Sequence, residues 1–181
     1  MWMRQSLVLG VTLALFAGIG DAQQQALARY PGAEALAGAR VTFAPVFAAH
    51  EQIATRFRSV WDAAIAPRAT VTDRVSFLGF VRFELIAQLD REGSVLYPVF
   101  DSLTDGVYAT TAALLDRQAI GRLFQELGDS ASYRDLTEFK ARSFALAAVL
   151  ESYFTKTELL VLPVVREKLS ESGIQALLAR L

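Results

Sequence analysis

The chain has 181 residues, 53% of them hydrophobic and 20% charged, with a formal net charge of -1. That is enough material for one domain with a sizeable core; it excludes a disordered chain and gives no electrostatic reason to expect nucleic acid as a partner. There is no cysteine and a single histidine. Disulfides, cysteine-based zinc and iron–sulfur sites and a cysteine nucleophile are thereby excluded, and a Ser-His-Asp arrangement could draw only on His50.

The N-terminus reads as a secretory signal over residues 1–22. Arg4 precedes the apolar run Ser6 to Gly20, and Gly20 and Ala22 would stand three and one residues before a cut. The run is short for a membrane span. Export to a periplasm or beyond is expected, with an uncleaved N-terminal anchor as the alternative and membrane contact through this segment alone. Residues 23–40, rich in Ala, Gly and Gln and containing Pro31-Gly32, read as a linker or short helical arm.

Four helices follow in a segment spanning residues 41–170. The first is predicted from Phe43 to Ala66, with Phe47, His50, Ala54, Phe57 and Trp61 on one face and Pro67 behind it. The second starts near Thr72, with Thr70 or Thr72 as cap, and carries the stripe Phe77, Val81, Leu85, Gln88, Glu92. It runs to about Glu92 or on to Tyr97, and Pro98 marks a break or kink. The third spans about Gly106 to Leu127, with Thr110, Leu114, Arg117, Ile120, Phe124 and Leu127 in line and Gly128-Asp129-Ser130 as a turn. The fourth begins near Ser132 or Arg134 and runs to about Leu162 through Phe139, Leu146, Leu150, Tyr153, Thr157 and Leu160, with Pro163 breaking it. Residues 171–181 read as a short amphipathic C-terminal helix covering the open end. Arg40-Val-Thr-Phe43 and Ser94-Val-Leu-Tyr97 have local β character but are short. The expected fold is all-α, an up-down-up-down four-helix bundle.

Each helix sets a polar residue in its apolar stripe: His50 on the first, Gln88 and Glu92 on the second, Arg117 on the third, Tyr153 on the fourth, with Glu158 five residues further on. Isolated buried carboxylates are costly, so these six side chains predict one shared polar network. Taken singly, each also fits a structural role: a hydrogen-bonded core histidine, hydrated rim carboxylates, a snorkelling arginine, an amphipathic tyrosine.

The spacing carries a resemblance. Gln88-Leu-Asp-Arg-Glu92-Gly-Ser-Val-Leu-Tyr-Pro98 resembles the hemerythrin-like segment H-x-x-x-E-x-x-x-L-[FY]-P, and Tyr153-Phe-Thr-Lys-Thr-Glu158-Leu-Leu-Val-Leu-Pro163 repeats it. In that family one bridging carboxylate follows its histidine by four residues and the other by five, as Glu92 and Glu158 do here. Ala49-His50-Glu51-Gln52-Ile53 is similar to the first ligand segment, and Asp116-Arg117-Gln118-Ala119-Ile120 to the E-H-x-x-I segment of the third helix. The resemblance covers about Val41 to Ser170. The family's di-iron site uses five histidines and two carboxylates. Here Gln88, Ala113, Arg117 and Tyr153 stand where four histidines are expected, so a normal oxygen-binding di-iron centre is not implied.

Two functions follow as expectations. The first is an exported, metal-free binding or structural protein, with no cofactor and with Arg117 supplying the charge that iron supplies in relatives by pairing with Glu92 or Glu158. Its partner would be a small ligand or an envelope protein. The second is a reduced site in which His50, Glu92, Glu158 and Tyr153 hold one non-haem iron or manganese for oxygen, nitric oxide or peroxide handling or metal binding. An enzyme using His50 and Glu92 as an acid–base pair has no recognisable nucleophile or oxyanion motif beside it.

Overall fold

The computed structural model of the chain describes residues 32–106, 108–129 and 134–181. The segment read as a signal, 1–22, and residues 23–31 of the arm lie outside the described residues. The described part is all-helical, without a strand. No helix among the described residues is long and apolar enough to cross a membrane.

In chain order the helices are α1 (Ala33–Thr42), α2 (Ala44–Ile65), α3 (Val71–Phe80), α4 (Ile86–Thr104), α5 (Tyr108–Gly128), α6 (Leu136–Lys156), α7 (Leu162–Lys168) and α8 (Glu171–Leu178). A π-helical segment, Val81–Leu85, joins α3 to α4, and a second, Thr157–Val161, joins α6 to α7. Their starts are set by local chemistry. Thr70 Oγ1 accepts the Asp73 amide at 3.3 Å while the Asp73 carboxylate accepts the Thr70 amide at 2.7 Å, a reciprocal cap that opens α3. Asp135 accepts the amides of Thr137 and Glu138 at the head of α6. The head of α5 is capped from another helix: Asp101 of α4 accepts the amides of Ala109 at 3.1 Å and Thr110 at 2.9 Å. Ser170 caps α8, which begins at Glu171.

Neighbouring long helices run antiparallel. Phe57 of α2 packs on Phe77 and Phe80 of α3, and Trp61 Nε1 donates to Ser143 Oγ of α6 at 2.8 Å. Asp90 of α4 pairs with Arg117 of α5, while Asp116 and Glu126 of α5 pair with Lys156 and Arg142 of α6. His50 meets Phe154 and Trp61 meets Ser143 between α2 and α6, Asp90 meets Arg117 and Asp101 meets Ala109 between α4 and α5, and the two ion pairs of α5 with α6 follow the same rule: residue numbers rise on one helix as they fall on the other. The core between them includes Phe77, Leu85, Leu96, Ile120, Phe139 and Leu146, all shut off from solvent. α1 packs on α7, where the Arg166 guanidinium lies on Gly38 and donates to Thr42 Oγ1.

Several sequence expectations are corrected. Residues 40–43 and 94–97, where β character was read, are helical apart from a turn at Phe43. Pro98 lies inside α4, which continues to Thr104; burial of Leu96, Tyr97 and Asp101 around it offsets the lost backbone donor. Pro163 sits in the first turn of α7 without ending the helix, because the preceding π segment has shifted the ladder: the Leu162 amide bonds Thr157 O, five residues back. The same shift moves the buried stripe from the expected Leu160 to Val161. On α5 the buried line is Ala113, Ile120 and Leu127, so the helix is turned and Leu114 faces outward.

Candidate functional site

The chain's one histidine lies in the first third of α2 and is 2% exposed. Both ring nitrogens are taken. Nδ1 meets Glu158 Oε1 at 2.9 Å, and Nε2 meets Glu92 Oε1 at 2.9 Å. Gln88, one turn before Glu92 on α4, donates its amide to the same Oε1 at 2.6 Å. Glu92 is fully buried and Glu158 is 23% exposed, so the line Glu92–His50–Glu158 runs from the interior to the edge of the helix packing.

Helix geometry puts these groups together. Gln88 and Glu92 are four residues apart on regular α-helix and share a face. Tyr153 and Glu158 are five apart, which an α-helix would splay. The π segment that begins at Thr157 absorbs the extra residue and brings the carboxylate to His50. Phe154 stacks on the imidazole, with centroids 4.2 Å apart. Tyr97 and Thr157 add a second layer: the Thr157 hydroxyl donates to Tyr153 O at 3.0 Å and accepts the Tyr97 hydroxyl at 2.7 Å.

Burial by itself would push the His50 pKa down, but hydrogen bonds and charge from Glu158 and Glu92 outweigh it and raise it to about 9. Burial, reinforced by the Glu92 charge and by Tyr97, holds the Tyr153 phenol well above its ordinary range, so it stays neutral. Its hydroxyl and Glu92 Oε2 are buried and make no hydrogen bond of normal geometry, although the two groups lie close enough to act on each other.

Of the six residues expected to form one network, Gln88, Glu92, His50 and Glu158 are joined by hydrogen bonds, and Tyr153 lies beside Glu92. Arg117 does not join them. Its guanidinium, 36% exposed, pairs with Asp90, and its stem lies over Gly93. The rotation of α5 explains the correction: Ala113 and Ile120 take the interior line and position 117 falls at the border. The positive charge between the two carboxylates is therefore the histidine's own. Of the four residues expected to hold a metal, His50, Glu92 and Glu158 are in contact, but the carboxylates approach opposite nitrogens of one ring rather than a common point. Among the described residues no group of three or more His, Asp or Glu side chains is arranged to hold a metal ion.

Phe154, Tyr97 and Thr157 were not singled out as site residues. Tyr97 stood in the quoted L-Y-P landmark and Thr157 in the fourth stripe, and Phe154, next to Tyr153, was masked by an ordinary apolar environment. No family model, curated protein or solved structure matches this chain.

Proposed function

We propose that the chain is a divergent, hemerythrin-like up-down-up-down four-helix bundle, exported and metal-free, that works as a binding or structural protein of the cell envelope. In this reading a His50 imidazolium, in place of the expected Arg117, holds the two carboxylates that bridge iron in relatives. The observation that carries it is the occupation of both His50 nitrogens by Glu92 and Glu158. A ligating imidazole must offer a lone pair, and here each nitrogen faces a carboxylate oxygen across a proton. The antiparallel neighbours and the four- and five-residue offsets to the carboxylates support the hemerythrin-like part of the reading. The same arrangement argues against an acid–base enzyme, since neither nitrogen is open to a substrate proton.

The experiment is metal content. Protein purified from iron- and manganese-supplemented medium, and again after anaerobic iron loading, is expected to hold far less than one equivalent of any transition metal. Near one equivalent, lost on His50→Ala or Glu158→Ala, would overturn the reading.

A second reading is a mononuclear iron or manganese site of His50, Glu92, Glu158 and Tyr153. It is favoured by two buried oxygen atoms that make no hydrogen bond of normal geometry, Glu92 Oε2 and the Tyr153 hydroxyl. One nitrogen and several oxygen donors would suit these hard or borderline ions. Binding would require His50 to give up a carboxylate. A visible phenolate-to-iron absorption band in loaded protein, absent in Tyr153→Phe, is its signature.

A further inference from the structure

The chemistry of the ligand can be taken one step further, resting on the metal-free reading above. We propose that the cleft beside Glu158 binds a small organic ammonium ion, an amine or methylated amine with a short apolar body.

The space comes first. A cleft of about 450 Å³ opens where α1 lies beside α2 and α6, and a second of about 320 Å³ runs along the α2–α6 seam. Both are lined by Ala54, Phe154 and Glu158. The first is within the range of small-molecule sites.

The charge follows from hydrogen bonding alone. Two bridges join His50 to Glu92 and Glu158, and each bridge needs one proton. A singly protonated imidazole is neutral and two carboxylates carry two negative charges. Adding the one proton that the second bridge requires leaves the three side chains with a net charge of minus one. The sum is the same whichever atom of a bridge holds its proton. The other charged side chains lining the clefts cancel, with Glu51 and Glu151 against Arg40 and Arg58. One negative charge is left without an answer, and Glu158 is the member of the three that solvent reaches. An anion would be repelled there, and a neutral ligand would leave the charge unmatched.

The walls suit a cation with methyl or methylene groups. Phe47 lines the first cleft, Trp61 the second and Phe154 both. Aromatic faces attract alkylammonium groups, strongly where water is excluded. Such a contact already exists in the first cleft: the Arg40 guanidinium carbon sits 4.8 Å from the centroid of the Phe47 ring. The small side chain of Ala54 leaves room beside Phe154 and Glu158.

The test is calorimetric titration of the purified protein with choline and with its neutral carbon isostere dimethylbutanol, and elemental analysis of the same sample. Choline is expected to bind saturably in the millimolar range or below, and the neutral isostere about tenfold more weakly or not at all. Glu158→Gln is expected to weaken choline by about tenfold. Because Glu158 also holds His50, Ala54→Phe gives an independent check: it fills the cleft from an exposed position and leaves the three bonded side chains unaltered in chemistry, and is expected to abolish binding. Equal binding of choline and dimethylbutanol, wild-type affinity in Ala54→Phe, or no saturation in metal-free protein would each overturn the inference and leave the metal-free reading standing. A transition metal near one equivalent would overturn that reading, and this inference with it, because the charge count would no longer hold.

Discussion

The Phe154 ring lies against the imidazole of His50, with centroids 4.2 Å apart and planes inclined by 21°. With both nitrogens bonded and one face covered, the histidine is enclosed by partners that prefer it charged. Its folded pKa of about 9 lies above the ordinary 6.5. Stability from this proton is complete below the unfolded value, declines as pH rises past it and is lost through the folded value. The loss amounts to roughly 3 kcal/mol. Urea unfolding at about pH 6 and about pH 10 is expected to show it, and His50→Gln to flatten the profile. Since the chain has one histidine, a single imidazole proton resonance reports the titration without assignment. A midpoint near the ordinary value would refute the bonded arrangement.

Thr157 and Tyr97 form a second test of the interior. Thr157→Val keeps the shape but leaves the Tyr97 hydroxyl, pushed up to about 12 by burial, without its acceptor. The expected cost is about 1–3 kcal/mol. Tyr97→Phe in the same background removes the orphaned group and is expected to recover part of that loss. Strict additivity in the double-mutant cycle would show that the two hydroxyls are not coupled.

Two glycines should respond differently to alanine. At Gly79 an added Cβ meets nothing within 4 Å, so Gly79→Ala is expected to stabilise α3 by about 0.5–1 kcal/mol. At Gly38 the same Cβ would come within 2.4 Å of the Arg166 guanidinium carbon, which must move off and surrender Thr42. Because Arg166 is exposed and flexible, the loss is small and cancels most of the propensity gain, leaving Gly38→Ala near neutral. Thermal melts of the two variants, compared directly, decide the point.

Asp101 is nearly buried and holds the first amides of α5 from the neighbouring helix. Asp101→Ala is expected to cost about 1–2 kcal/mol, in the range of lost helix caps. It should also speed hydrogen exchange at Ala109 and Thr110. Unchanged exchange there would show that the cap does not hold the α5 terminus.

The helices were legible because their apolar spacing is regular: Phe57, Phe77, Phe139 and Leu146 are buried as that spacing predicts. His50, Glu92 and Glu158 were legible for the opposite reason, as polar residues in apolar stripes. The errors have separate causes. Arg117 and Leu114 were placed inward by extending the α5 stripe from the wrong residue, when Ala113, a small side chain with little weight in a pattern, marks the buried line. Leu160 was placed inward by counting through Thr157–Val161 as if it were α-helix. Pro98 was read as a break or kink and Pro163 as a stop because local propensity was given more weight than the burial around them. The partner of Arg117, Asp90, carried no signal, since a charged residue at a helix border looks the same paired or unpaired.

The two π segments give the chain places where its length is negotiable. A π turn is one residue more than the helix needs to keep its flanks in phase, so removing a residue there returns the ladder to ordinary α-helix with both flanks still facing the core. Deleting Leu160 is therefore expected to leave α6 and α7 folded, whereas deleting Ala147 in mid-α6 would rotate every later side chain by about 100°. The slack at Thr157–Val161 contains Glu158 itself, so a one-residue change there can alter the reach of a carboxylate toward His50 while sparing the scaffold. Chains of this kind can accordingly vary their interior chemistry by insertion and deletion as well as by substitution.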